Sequence, residues 1–152
     1  MAKKSAGILL YRVKNKQPEV FLGHPGGPFF KNKDIGVWSI PKGEFDDNED
    51  PLQAAQREFK EETGTDIEGD FSPLKPVKYK NGKIVYAWAK EGNLDPSTLR
   101  CNTFPLEWPP KSGKIIQVPE LDKVEWFVFE TALKKIIPAQ IPFIEELMGR
   151  MH

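Results

Sequence analysis

The sequence predicts an α/β fold in which a mixed β-sheet carries helices on its faces. Three observations support this prediction: several short runs are rich in β-branched and aromatic residues, one well-capped helix lies among them, and two short helical patterns close the chain. A chain of 152 residues falls in the size range of one domain, so we expect a single domain over residues 1–152.

The first half of the chain contains three predicted strands. Residues 6–13 and 18–23 are two strand-like runs separated by the turn-like KNKQP, which predicts a hairpin. The glycine- and proline-rich loop GHPGGPFFKNKDIG follows. Residues 37–40, VWSI, predict a short strand that stops at Pro41.

The second half predicts another hairpin, a strand and two helices. In KPVKYKNGKIVYAWAKE, Asn81 and Gly82 stand between two alternating runs, which is a strong hairpin signal. Residues 123–129, KVEWFVF, predict a strand. Helical patterns cover residues 131–137 and 142–148, with a proline between them.

Composition excludes several classes of protein. The 22 basic side chains balance the 22 acidic ones, so no overall field attracts nucleic acid or an anionic membrane. Cys101 is the single cysteine, which excludes an intramolecular disulfide framework and suits a reducing cytoplasm. The apolar run near the start, in MAKKSAGILLYRV, is too short for a signal-peptide core. We therefore expect a cytoplasmic protein without a membrane partner.

The stretch from Gly43 to Gly64 predicts a helix with clear ends. Asp50 can cap its start, Pro51 suits the first helical position, and Gly64 suits the left-handed position after the last turn. With about 100° between successive residues, one narrow apolar stripe faces the core. This stripe consists of Leu52, Ala55 and Phe59.

Three glutamates border that stripe within an arc of about 100°. They are Glu58, Glu61 and Glu62. Like charges on adjoining turns repel, and anions near a helix C-terminus face the negative end of its dipole. Arg57 and Lys60 could neutralise a solvated acidic face, but a divalent cation explains directly why the acids flank the core-facing side. A calcium loop is excluded, because Pro51 and Arg57 would occupy its required glycine and glutamate positions.

The same residues carry a family resemblance. Between Gly43 and Gly64 the sequence reads G-x5-E-x7-R-E-F-x-E-E-x-G. This pattern resembles the Nudix box, the signature of hydrolases that cleave nucleoside diphosphates linked to another group. It departs from the box at Phe59 and Thr65, which are packing positions. The resemblance continues in PKGE and PELDKVEWF, so most of the chain is similar to a MutT-like Nudix domain.

The resemblance implies a Nudix-type α/β/α sandwich and a site for Mg2+, with Mn2+ as an alternative. The implied metal ligands are Gly43, through its carbonyl, and the carboxylates of Glu58, Glu61 and Glu62. Glu49 and Arg57 are implied as supporting residues, and the arginine can hold a neighbouring carboxylate with two hydrogen bonds.

An acid from outside the helix is often the base or an additional ligand in this family. Glu120 and Glu125 are the candidates, and we favour Glu120 because it is expected in a loop before a strand, whereas Glu125 lies within the strand. The candidates for substrate binding are Lys42, Lys111, Lys114 and His24. Possible base-stacking surfaces are Trp38, Trp88, Trp108 and Trp126.

These observations favour a Mg2+-dependent pyrophosphohydrolase acting on a small nucleotide. A diadenosine polyphosphate is the first substrate expected and a nucleoside triphosphate the second. Two other hypotheses remain open: a catalytically silent nucleotide-sensing module, which predicts loss of a metal carboxylate, and an RNA 5′ pyrophosphohydrolase, which predicts a basic surface. Sequence does not address the oligomeric state.

Overall fold

The computed structural model describes residues 3–151. In that range the chain forms nine strands and three α-helices. The strands are β1 (Lys4–Lys14), β2 (Gln17–Pro25), β3 (Lys42–Phe45), β4 (Ser72–Pro73), β5 (Val77–Lys78), β6 (Ile84–Glu91), β7 (Thr103–Glu107), β8 (Ile115–Pro119) and β9 (Leu121–Val128). The helices are α1 (Pro51–Thr63), α2 (Phe129–Lys135) and α3 (Ile141–Arg150), with 3-10 turns at Pro96–Thr98 and Pro138–Gln140.

Seven strands form one mixed sheet in the order β4-β6-β1-β2-β9, with β3 beside β1 and β5 beside β6. The β1–β6 pair is parallel and the other pairs are antiparallel. Strands β7 and β8 pair only with each other, as a separate two-stranded ribbon. The predicted mixed sheet is therefore confirmed.

Helices cover both faces of the large sheet, because the alternation along β1 sends apolar side chains to both sides. Ile8 and Leu10 pack with Phe59 of α1 on one face. Leu9 packs with Phe143 of α3 on the other face. The structure thus has the three layers of an α/β/α sandwich.

Both predicted hairpins are present. Asn15 and Lys16 have φ values of 54° and 67°, as a two-residue turn between twisted antiparallel strands requires. The second hairpin joins β5 to β6 through Gly82, whose φ is 92°, although β5 is only two residues long. The predicted helices at the end of the chain correspond to α2 and α3, separated by the Pro138–Gln140 turn.

The predicted strand at residues 37–40 is wrong. Trp38 forms an isolated bridge with Ile136, and Ser39 forms another with Gly23. Because neighbouring residues bond to different partners, no continuous ladder develops. The strand that leads to α1 begins only at Lys42, where β3 pairs with β1.

Phe59 fixes α1 on the sheet and provides a test of the packing. It is fully buried, and its ring centroid lies 6.2 Å from that of Phe21 on β2. We expect Phe59→Ala to lower the free energy of unfolding by about 3–5 kcal/mol in urea denaturation. The matched substitution Phe29→Ala removes a side chain that is 61% exposed and should change that free energy by no more than about 0.5 kcal/mol. Similar losses in both variants would contradict the packing described here.

Candidate metal and active site

Helix α1 presents its acidic side to strand β3. The Asp50 carboxylate accepts a hydrogen bond from the Gln53 N–H at 3.1 Å, and Gly64 closes the helix with φ 82° and a 2.7 Å bond from its N–H to the Lys60 carbonyl. Ala55 and Phe59 are fully buried against the sheet. This orientation directs the carboxylates of Glu58 and Glu62 towards strand β3 and the junction between β8 and β9.

Three carboxylates meet at this edge. Oxygens of Glu58, Glu62 and Glu120 lie within 4.8 Å of one another, and we call these three residues the acidic cluster. Glu58 and Glu62 are buried, with 8% and 4% of their surface exposed, whereas Glu120 is open to solvent. Carboxylate oxygens at this spacing suit a hard divalent cation.

Glu120 reaches the cluster because backbone bonds hold its position. It is the single residue between β8 and β9. Its N–H donates to the Asn102 carbonyl at 3.1 Å, and its carbonyl accepts the Gly26 N–H at 3.0 Å. Glu125, the other candidate, is exposed on β9 and is not part of the acidic cluster.

Gly43 allows α1 to approach β3 closely. A Cβ atom added to Gly43 would lie 2.0 Å from Cδ of Glu58, which is too close for any side chain. The glycine therefore leaves the β3 backbone in direct contact with this carboxylate, where its carbonyl could serve as a further oxygen ligand.

Arg57 links the supporting glutamate to the helix acids. Its guanidinium donates two hydrogen bonds to Glu49, at 2.7 and 2.9 Å, and its Nη1 donates to Glu58 at 2.9 Å. The bonds with Glu49 raise the pKa of Arg57 and lower that of Glu49. A doubly bonded arginine of this kind holds the Glu58 carboxylate in one orientation.

Glu61 borders the acidic cluster without belonging to it. Arg57 Nη1 lies 3.3 Å from both Glu61 carboxylate oxygens, and the side chain is 39% exposed. After burial, its negative charge is the next largest cause of the raised pKa of Glu58 and of Glu120. The family resemblance implies that all three helix acids are metal ligands; the structure buries Glu58 and Glu62 and leaves Glu61 half-exposed.

The negative charges of the two buried carboxylates, Glu58 and Glu62, are unfavourable in their surroundings. Burial, followed by the charges of Glu120 and Glu58, raises the pKa of Glu62 well above its usual value of 4.5. Burial and then Glu61 raise the pKa of Glu58, which Arg57 partly opposes. Since burying charge without compensation is costly, this donor set fits a cation such as Mg2+.

Two lysines lie on the other side of the acidic cluster. The Lys42 N–H donates to Glu62 at 3.3 Å. Burial, and then the neighbouring Lys83 cation, lowers the Lys42 pKa, while Glu62 opposes the shift. Lys83 was not among the candidates for substrate binding chosen from the sequence. Its position directly after the Asn81–Gly82 turn could have pointed to it, because the strand that begins there, β6, runs beside β1.

His24 is part of β2 and not of the loop predicted for it. Only 3% of its surface is exposed. Its Nδ1 lies 2.8 Å from an Asp122 oxygen and its Nε2 lies 2.6 Å from the Lys33 carbonyl. The expected contact with phosphate is not supported by this geometry, because both ring nitrogens already have partners.

Lys111 and Lys114 occupy the tip of the β7–β8 ribbon. The base of the ribbon adjoins the acidic cluster, since the Asn102 N–H donates to the Glu61 carbonyl at 2.9 Å. Five residue steps separate Thr103 at the base from Trp108 at the tip, or about 17 Å along a strand. The two lysines are therefore remote from the acidic cluster along the ribbon.

The predicted stacking surfaces differ in exposure. Trp38 is buried, and its Nε1 donates to Asp34 at 2.8 Å. Trp126 is half-buried beneath the Arg12 guanidinium, whose centre is 4.2 Å from the ring centroid. Trp88 packs with the α1-side core. Trp108, on the ribbon, is half-buried.

A small apolar pocket adjoins Lys42. Its volume is about 270 Å³. It is lined by Gly23, Pro25, Phe30, Gly36, Val37, Ser39, Lys42 and Ile137. A mostly apolar wall with one cation suits a flat aromatic group attached to phosphate.

A wider groove of about 750 Å³ borders the site beside Arg57. Its three cations are already paired with acids: Arg57 with Glu49, Lys4 with Asp47 at 2.9 Å, and Lys3 with Glu44 at 3.7 Å. This groove therefore offers less free positive charge than the pocket beside Lys42.

Comparison with known proteins identifies the family. The NUDIX domain profile matches residues 1–147. The chain therefore belongs to the Nudix family, which confirms the resemblance found in its sequence. The same match supports the predicted enzyme class, a hydrolase of phosphoric anhydride bonds.

Three known proteins illustrate the similarity. An octanoyltransferase of Myxococcus xanthus is 32% identical over 101 residues, covering 66% of this chain and 25% of that protein. An RNA pyrophosphohydrolase of Gluconacetobacter diazotrophicus is 37% identical over 70 residues, covering 42% of this chain and 38% of that protein. The chain thus spans well under half the length of these curated relatives. The crystal structure of a C. elegans Ap4A hydrolase binary complex superposes with a TM-score of 0.65 at 23% identity, covering 97% of this chain and 96% of that one.

The raised pKa of Glu62 gives a prediction about the metal-free protein. Ionised Glu62 destabilises the fold most above its raised pKa, and protonation relieves this cost as pH falls towards 4.5. In EDTA, Glu62→Gln should therefore raise the melting temperature at pH 8, and the gain should shrink towards pH 5. Glu125→Gln, at an exposed position, is the matched control and should show no such trend. A loss of stability in Glu62→Gln at every pH would contradict an uncompensated buried charge.

Proposed function

We propose that this protein is a Mg2+-dependent pyrophosphohydrolase that cleaves a pyrophosphate bond in a nucleoside diphosphate-linked substrate. The acidic cluster is the observation that supports this proposal most strongly, because two of its carboxylates are buried. A diadenosine polyphosphate is the proposed substrate, followed by a nucleoside triphosphate. Mn2+ is an acceptable substitute for Mg2+.

The residues divide into ligands and supports. Glu58, Glu62 and Glu120, with the Gly43 carbonyl, would hold the cation, and Glu61 would hold a second ion or a water beside it. A bound divalent cation supplies charge neutralisation at the phosphoryl oxygens and lowers the pKa of water. The Arg57–Glu49 pair keeps Glu58 oriented while the phosphate chain enters.

Binding of the nucleotide falls to the other side of the acidic cluster. Lys42 and Lys83 together would attract the phosphate chain; burial, and then the Lys83 cation, lowers the pKa of Lys42. The apolar pocket beside Lys42 would take a base or sugar. In this arrangement the scissile bond would lie between the proposed nucleoside pocket and the proposed metal site.

Two alternatives have less support. A silent nucleotide-sensing module would lack a metal carboxylate, yet all three acids of the Nudix box are present. One relative is an RNA pyrophosphohydrolase, but the zero net charge of this chain gives no general attraction for a nucleic acid. We further propose that the protein works in the cytoplasm, where its single cysteine would stay reduced.

The proposed activity is tested by measuring hydrolysis with Mg2+. Diadenosine tetraphosphate, ATP, ADP-ribose and a 5′-triphosphorylated oligonucleotide form the panel. We expect turnover of diadenosine tetraphosphate to be fastest and to disappear in EDTA. Absence of turnover on every substrate would refute the proposal, and fastest turnover of the oligonucleotide would favour the RNA alternative.

Substitution of the acids tests their roles. Loss of an outer partner of a metal ligand typically costs about 10–100-fold, so loss of a ligand in Glu62→Gln should lower kcat by more than about 100-fold. Millimolar Mg2+ should raise the melting temperature of the wild type and much less that of Glu62→Gln. Equal turnover and equal Mg2+ shifts in the two proteins would remove Glu62 from the site.

Glu120 and Glu125 form a matched pair for the outside acid. Both are exposed glutamates near or on β9, but only Glu120 belongs to the acidic cluster. Glu120→Gln should lower kcat by at least about tenfold, whereas Glu125→Gln should leave it unchanged. The reverse order would overturn the choice of Glu120.

A further inference from the structure

The base of the β7–β8 ribbon is anchored beside the acidic cluster. At its base, the Asn102 N–H bonds to the Glu61 carbonyl and the Leu121 N–H bonds to Cys101 Sγ at 3.2 Å. Pro119, the last ribbon residue, directly precedes Glu120 of the acidic cluster. An isolated two-stranded ribbon is only marginally stable in water. Its presence beside the acidic cluster therefore suggests a function in that site.

The register of the ribbon sorts its side chains into two faces. Phe104 pairs with Val118 and Leu106 with Ile116, and the Trp108 N–H donates to the Lys114 carbonyl at 2.9 Å. Because side chains alternate along a strand, these residues share one face. We call this face the aromatic stripe: Phe104, Leu106, Trp108, Lys114, Ile116 and Val118.

The inner end of the aromatic stripe leans on the loop that lines the apolar pocket. A Cβ added to Gly27 would lie 3.1 Å from Val118 and 3.9 Å from Leu106. Phe30, three residues beyond Gly27, forms part of the pocket wall. The aromatic stripe therefore contacts this short loop at Gly27, and the pocket is lined by the same loop at Phe30.

Outside this contact the aromatic stripe remains open. Phe104 is 36% exposed and Ile116 is 38% exposed. Lys114 is also exposed and stands at the Trp108 end of the stripe. Two aromatic rings and aliphatic side chains on one surface suit a nucleoside base, through stacking.

We propose that the aromatic stripe binds the second nucleoside of a substrate whose phosphate chain lies at the acidic cluster, so that the protein selects dinucleoside polyphosphates over mononucleotides. This inference rests on the proposed function. The first base occupies the apolar pocket, the phosphates cross the acidic cluster, and the second base lies along the ribbon. Lys114, about 17 Å from the ribbon base, meets the far end of this substrate.

Binding of nonhydrolysable analogues tests the inference separately from catalysis. Dissociation constants are measured by calorimetry with Mg2+ for methylene-bridged analogues of diadenosine tetraphosphate and of ATP. Since stacking of one base is worth roughly a tenfold change in affinity, the wild type should bind the dinucleotide analogue about tenfold more tightly. Trp108→Ala should remove this preference, and Trp108→Phe should keep most of it.

Two adjacent isoleucines provide the matched control. Ile116 belongs to the aromatic stripe, while Ile115 is 61% exposed on the opposite face of the same strand. Ile116→Ala should weaken binding of the dinucleotide analogue, and Ile115→Ala should not.

Several outcomes would overturn the inference. Equal affinity of the wild type for both analogues, or equal losses for both in Trp108→Ala, would show that the ribbon does not read a second nucleoside. A selective loss for a 5′-triphosphorylated oligonucleotide would assign the ribbon to RNA. A change from dimer to monomer in Ile116→Ala, measured by light scattering, would assign the aromatic stripe to self-association. Failure of hydrolysis with the binding preference intact would refute the proposed function alone.

Discussion

The structure depends on the crowding of buried carboxylates against the backbone of β3. Glu58 and Glu62 lie on adjoining turns of α1, and Gly43 lets the first of them reach the strand. Two buried negative charges at this distance are unfavourable, and Arg57 compensates directly only for Glu58. The fold therefore holds in place an arrangement that the proposed cation would stabilise.

The large sheet makes this arrangement possible by fixing the parts that surround it. Strand β1 pairs with β3 and so positions Gly43, while β9 pairs with the end of β2 and so positions the loop that follows it. That loop bonds back to Glu120 through Gly26. Acids that are distant in sequence thus meet because the backbone segments that carry them are hydrogen-bonded to neighbouring parts of the fold. The packing of Phe59 against the sheet holds α1, and with it Glu58 and Glu62, in position beside Glu120.

Local signals in the sequence were reliable where one residue type was required by backbone geometry. Asp50 and Gly64 bounded α1 correctly, because a cap and a left-handed position have strong residue preferences. The hairpin at Gly82 followed for the same reason. The strand predicted at residues 37–40 failed, since its apolar pattern reflects burial and not a ladder. The β7–β8 ribbon was missed because Pro105 interrupts β7 and Pro119 ends β8.

The sequence by itself determined the family, the order of most elements and the spacing that turns three acids of one helix towards β3. Spacing along a helix is fixed by 3.6 residues per turn, so it can be read without any knowledge of the fold. Only the tertiary structure decided that Glu62 is buried while Glu61 is half-exposed, that Glu120 completes the cluster, and that His24 is fully bonded. These properties depend on contacts between residues that are far apart in the chain. Burial and electrostatic interactions are set by distances in space, which the sequence does not give.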